Sequence, residues 1–254
     1  MADDLPDPET AIWAALKRSL FEGRPMHEGG AGIVELDAPA RAEDAAVVPI
    51  AIRTKLEQKP ERYVKRIYLI VDNNPSPIAA TFDFSVASGR ADVETRIRVD
   101  QYTYVRAVAE LSDGTLAVDR RFVKASGGCS VAPGKDAATA ARLGRMRLAV
   151  EQSAYNQATL AQLMISHPND SGLAMDQLTR LYPPAYFVRS LEVAYAGKPI
   201  LSAELDFSIS ENPYFRFYFV PAQAGALTAR AVDTSGIVFE TRLEVRRDAS
   251  RAAH

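Results

Sequence analysis

From Ile33 to Val245 the chain runs in short stretches rich in β-branched and aromatic residues, each closed by Gly, Pro, Asn, Asp or Ser. That rhythm constrains the fold most. Branched side chains suit a pleated, half-buried surface, and the closing residues accept turn dihedrals. In the first half the pattern predicts strands at Ile33–Leu36, Val47–Lys55, Arg62–Val71, Ile78–Phe84, Ala91–Val99, Tyr102–Leu111 and Leu116–Val123. In the second it predicts Arg145–Val150, Thr159–Ser166, Phe187–Ala194, Ile200–Phe207, Tyr214–Val220, Ala226–Asp233 and Ile237–Val245. The expected fold is all-β: two immunoglobulin-like sandwich domains, 1–136 and 137–254. Two helical segments frame the first. One is an amphipathic helix after Thr10, with apolar residues at Ile12, Trp13, Leu16 and Leu20; the other is a short linker helix capped by Asp136, running through Ala141 to Leu143. The tail from Arg246 to His254 is expected to fray.

Composition excludes several classes. Across 254 residues, 47% are hydrophobic, enough for sizeable cores, and the net charge of -2 arises from interspersed acids and bases. Nucleic acid is therefore a poor partner. No apolar run is long enough for a membrane-spanning helix, and the opening residues do not read as a secretory leader. A mature secreted chain beginning at a new Met would look the same. The chain lacks a phosphate loop, a GxSxG elbow and an HExxH helix, so neither cofactor nor metal is expected. Asp72-Asn73-Asn74 and Asp83 read as turn chemistry more than as a cation loop.

The single cysteine, Cys129, stands in Ser126-Gly127-Gly128-Cys129-Ser130-Val131-Ala132-Pro133-Gly134. It cannot form an internal disulfide; it is free, buried, or paired with another molecule. A lone cysteine is usually a small buried apolar residue. Here the flanking Gly and Ser offer little to bury it with, and the expectation is an exposed thiol on a pliant arm of Gly127, Gly128 and Ser130. A disulfide-linked dimer through Cys129 is then a natural resting state. Lys124 and Lys135 are placed to favour the thiolate. A thiol enzyme would need a base beside the sulfur, and the sequence sets none of His27, His167 or His254 there. His167, before Pro168, reads as a structural partner of its turn.

These stretches resemble a known family. Asn74–Phe82, Ser88–Arg98, Ala107–Gly114 and Gly127-Gly128-Cys129 are similar to SoxY, and Leu163–Pro168, Pro184–Val188, Gly197-Lys198-Pro199 and Asn212-Pro213-Tyr214 are similar to SoxZ. These are the two subunits of the bacterial carrier for sulfur compounds in thiosulfate oxidation. The resemblance implies that Cys129 is the covalent attachment point, Gly127 and Gly128 its swinging arm, and the SoxZ-like half a scaffold. It also implies a non-enzymatic, periplasmic carrier whose leader has been removed. The implied partners are sulfur-oxidising enzymes or c-type cytochromes, with a quinoprotein dehydrogenase system as an associated setting. An accessory docking module for that dehydrogenase or its cytochrome is the alternative. One departure stands out: Ser130-Val131-Ala132-Pro133 follows the cysteine where the family has further glycines and a chain end.

Overall fold

The computed structural model describes residues 5–134, 141–151, 154–176 and 179–246. Helix α1, Ala11–Phe21, begins where the Thr10 side chain accepts from the Trp13 amide at 3.0 Å, and it ends at Glu22 in the left-handed region. The first half then supplies β1 (Met26–Glu28), β2 (Val34–Asp37), β3 (Val48–Thr54), β4 (Val64–Val71), β5 (Ile78–Phe84), β6 (Val93–Ile97), β7 (Thr103–Leu111) and β8 (Leu116–Val123). The second supplies β9 (Met146–Val150), β10 (Thr159–Ile165), β11 (Val188–Tyr195), β12 (Lys198–Leu205), β13 (Tyr214–Phe219), β14 (Gly225–Asp233) and β15 (Val238–Val245). Strand β1 lies outside the sequence pattern. Its three residues pair in parallel with β8, a long-range contact that carries no local signature. Where a linker helix is expected, residues 141–144 form a turn; Lys135, Asp136, His254 and the tail beyond Arg246 lie outside the described residues.

The strands form two layers. One is nine-stranded, in the order β1-β8-β7-β4-β5-β12-β11-β14-β15; the other is six-stranded, β2-β3-β6-β13-β10-β9. Both layers cross from one half of the chain to the other. Strand β5 pairs with β12 from Phe84↔Leu201 to Ala80↔Leu205, and β6 pairs with β13 at Val93↔Phe217 and Glu94↔Arg216. Edges that two separate sandwiches would leave exposed are satisfied against each other, which removes a row of unpaired backbone groups from each half. One apolar cluster fills the space between the layers across this seam, with Phe82 and Phe215 edge to face at 6.2 Å. A second, smaller cluster seats Trp13 and Phe21 of α1 on Ile70, Val108, Leu116 and Val118, on the outer face of the larger sheet. Covered on both faces, β7 is buried at nearly every position and so reads as continuous apolar sequence instead of alternation.

Candidate functional site

The segment after β8 is held down by its own backbone. The Gly127 amide donates to the Asp100 carbonyl at 2.8 Å and the Gly128 amide to the Val99 carbonyl at 2.9 Å. Gly128–Ser130 then make a single 3-10 turn, closed by the Ser130 amide on the Gly127 carbonyl at 3.2 Å. Both glycines are needed for this path, for different reasons. Gly127 has φ +81°, where L side chains are strained, and a Cβ on Gly128 would lie 2.0 Å from the Ala45 carbonyl oxygen and 2.8 Å from that of Val99.

The pliant, exposed arm expected at Gly127, Gly128 and Ser130 is thus a docked turn, and Cys129 is 0% exposed. Glycine reads as freedom in sequence, but here it lets backbone pack on backbone. Ser126, Gly127, Ser130, Val131 and Ala132, which flank Cys129 in sequence, are exposed, and the cysteine belongs to neither apolar cluster. Its electrostatic surroundings are polar. Burial pushes the thiol up to about 12, the Asp100 and Asp206 carboxylates push the same way, and Arg98 opposes them. A cation acting on the sulfur is Arg98, which the sequence did not single out; of the two lysines it pointed to, Lys124 and Lys135, Lys135 lies outside the described residues. While docked, the thiol is neutral and inaccessible, neither a nucleophile nor able to reach a second chain for the expected disulfide.

Both halves build this closed site. The Ser171 hydroxyl donates to the Cys129 carbonyl at 2.5 Å. Arg98 Nη1 donates to the carbonyls of Gly128 at 3.2 Å and Val131 at 3.3 Å, and Nη2 to that of Asn169 at 3.2 Å. Asn74 braces the arginine from below: its Nδ2 donates to the Arg98 carbonyl at 2.8 Å and to Ser208 Oγ at 3.0 Å, while its Oδ1 accepts from the Asp100 amide at 2.9 Å.

Residues 17–129 match the family described as sulfur oxidation protein SoxY, the match ending on Cys129, and residues 146–244 match sulphur oxidation protein SoxZ. The chain is a fused SoxYZ-like protein. Among solved structures it is similar to the sulfur carrier protein SoxY from Chlorobium limicola f thiosulfatophilum, at 24% identity over 45% of this chain and 91% of that one, with a TM-score of 0.36. It is also similar to superoxide reductase (neelaredoxin) from Ignicoccus hospitalis, at 12% identity over 40% and 96% with a TM-score of 0.36. Fibronectin(III)-like modules of Clostridium thermocellum CbhA align at 11% identity over 87% and 97%, with a TM-score of 0.24. No curated protein sequence matches the chain. The paired SoxY and SoxZ matches support a sulfur-carrier role in sulfur oxidation. Among the described residues, no helix is long and apolar enough to cross a membrane.

In this SoxYZ-like chain the SoxZ-like loop that holds the turn is itself organised by His167. Its Nδ1 accepts the Asn169 amide at 3.0 Å, which leaves the proton on Nε2, facing Asp233 Oδ2 at 3.7 Å. Burial lowers its pKa, against the Asp233 charge, so the ring is neutral. His167 thus serves its own turn, as the sequence indicated. His27 lies exposed in β1. Asp72, read as a turn residue, is the buried partner of Arg106, with Nη2 to Oδ2 at 2.7 Å. The residues that sequence reasoning missed are Asn74, Arg98, Asn169 and Ser171. Arg98 directly follows the buried Ile97 and carries no local mark of its role, because its partners lie some thirty residues or more away.

Proposed function

We propose that the fused SoxYZ-like chain is a covalent carrier in which the Cys129 thiolate accepts a sulfur-containing group and presents it to partner enzymes. Those partners, sulfur-oxidising enzymes or c-type cytochromes, supply oxidation and hydrolysis. The periplasm, where this family usually works, is the compartment for this exchange, and thiosulfate is the family's source of sulfur. The supporting observation is the placement of the only cysteine: it ends the SoxY match in a one-turn segment, outside both apolar clusters and among charged groups. Loading requires the turn to lift, because a fully buried neutral thiol does not react.

Intact mass of the protein isolated from its native host tests this reading. The expected result is an added sulfur-bearing mass lost on reduction and absent from Cys129→Ser. A uniformly bare thiol during active sulfur oxidation would sink it. The buried sulfur favours one second reading, a docking module for a quinoprotein dehydrogenase or its cytochrome, with Cys129 incidental. Full complementation of a deletion strain by Cys129→Ser would select that reading.

A further inference from the structure

A buried guanidinium normally faces a carboxylate, because taking an unpaired charge out of water is costly. Arg98, 1% exposed, has no carboxylate in hydrogen-bond contact among the described residues; Glu211, Asp170 and Asp44 act on it only through space. Its acceptors are three backbone carbonyls, and its Nε is buried with no acceptor among those residues. Two of those carbonyls, Gly128 and Val131, bracket Cys129 on the arm, and the third, Asn169, belongs to the SoxZ-like loop. The arrangement is mutual. The arm carbonyls are satisfied by the cation, and the cation is kept from water by the arm. When the turn lifts, both sides regain water, so the closed state is held by a modest difference between two solvated arrangements.

We infer that Arg98 is the latch of the carrier arm, a positioning residue whose guanidinium ties the Gly128 and Val131 carbonyls to the Asn169 carbonyl of the SoxZ-like half. Cys129 is therefore loaded and unloaded only when those bonds part. This assigns the second half a role beyond scaffold: its loop 167–171 is the receptor that shuts the site, through the Asn169 carbonyl and the Ser171 hydroxyl. It rests on the carrier reading of Cys129 and deepens it, since a carrier must control when its thiol is available.

The test is the rate at which iodoacetamide alkylates Cys129 in the full-length folded chain, without any sulfur cargo, so that the latch and the carrier reading fail separately. The native chain is expected to react on the order of a hundredfold more slowly than the same chain in urea, the closed arm allowing only brief opening. Arg98→Met should raise the native rate roughly tenfold or more, as bonds from a charged donor are lost. Arg98→Lys should protect only in part, since a compact ammonium lacks the planar fork whose two separate nitrogens reach these carbonyls. Gly128→Ala lifts the arm from the other side, through its contact with the Ala45 carbonyl. Adding Arg98→Met to it should then give little further increase.

The pH profile separates gating from general loosening. In the native chain the alkylation rate should keep rising well above the ordinary thiol range, whereas in Arg98→Met it should level off at lower pH, nearer to about 8.5, the pKa of a free thiol. An Arg98→Met rate equal to the native rate, or an increase that adds in full to that of Gly128→Ala, overturns the latch. If Arg98→Met does not fold, Arg98→Gln carries the same expectations. An unlatched chain that still acquires the adduct in its host leaves the carrier reading standing.

Discussion

Arg106 and Arg98 both belong to the SoxY-like half and are buried to the same degree, at 0% and 1% exposure, but among the described residues only Arg106 has a carboxylate in hydrogen-bond contact. Its Nε and Nη2 reach Asp72, Nη2 also reaches the Pro8 carbonyl, and the guanidinium lies 4.5 Å from the Trp13 ring. Thr10, the helix cap, donates to the same Asp72 at 3.1 Å. Together these contacts fasten the start of α1 to the larger sheet. Arg98 instead directs Nη1 and Nη2 to carbonyls of a surface turn and of a loop from the other half. A charge matched by a charge has one favourable arrangement in the dry interior. A charge whose hydrogen bonds all go to carbonyl dipoles, with Glu211, Asp170 and Asp44 acting on it only through space, is almost as well served by water, so its site can open.

The sharpest way to break this contrast is Asp72→Ala, which strands Arg106 as an uncompensated buried cation. A loss of about 3–5 kcal/mol is expected in urea unfolding. A loss below about 1 kcal/mol would mean that Arg106 is no better anchored than Arg98.

Alkaline pH probes the Arg98 side. The Cys129 pKa is raised by burial from 9.0 to about 12, so its contribution is fully present below pH 9 and is lost as pH climbs toward 12. Relative to Cys129→Ser, stability should fall by about 1.4 kcal/mol per pH unit in that window. The fall should stop once lifting the arm costs less than ionising the docked thiol, and that plateau measures the latch. No difference from Cys129→Ser up to pH 11 would show that the arm is already open.

Acid probes the receptor loop. Burial lowers the His167 pKa, with the Asp233 carboxylate opposing and the Tyr186 ring packed at 4.5 Å, so the unfolded chain takes up the proton first. Stability is therefore expected to drop as pH falls below 6.5, and Cys129 alkylation, scaled for thiolate, should rise as the Nδ1 bond to Asn169 is lost. Ser171→Ala should act in the same direction, costing about 1 kcal/mol and raising alkylation a fewfold. The smallest effect on global stability is expected from Arg98→Met, within about 1 kcal/mol, because the lost bonds and the relieved desolvation offset each other. A cost as large as that of Asp72→Ala would erase the distinction.

Local pattern went far in this chain. Helix Ala11–Phe21 and strands Ile78–Phe84 and Leu116–Val123 run between the residues that turn chemistry and periodicity mark, and the other predicted strands differ only at their ends. The lone cysteine and its glycines were also legible as the site to examine. Their conformation was not. The dihedral freedom of Gly127 and Gly128 serves a mobile arm or a tightly docked one equally, and only the Ala45 and Val99 carbonyls, brought close by the tertiary fold, select docking.

The sequence alone determined the strand rhythm and singled out the one cysteine with its flanking glycines, because both depend on residues within a few positions of one another. Tertiary structure decided that the two halves share both sheets, that β1 exists, and that an arginine bonded to the cysteine's turn meets an asparagine 71 positions away. Such contacts depend on which distant carbonyls lie within hydrogen-bond reach, and no local periodicity encodes that distance.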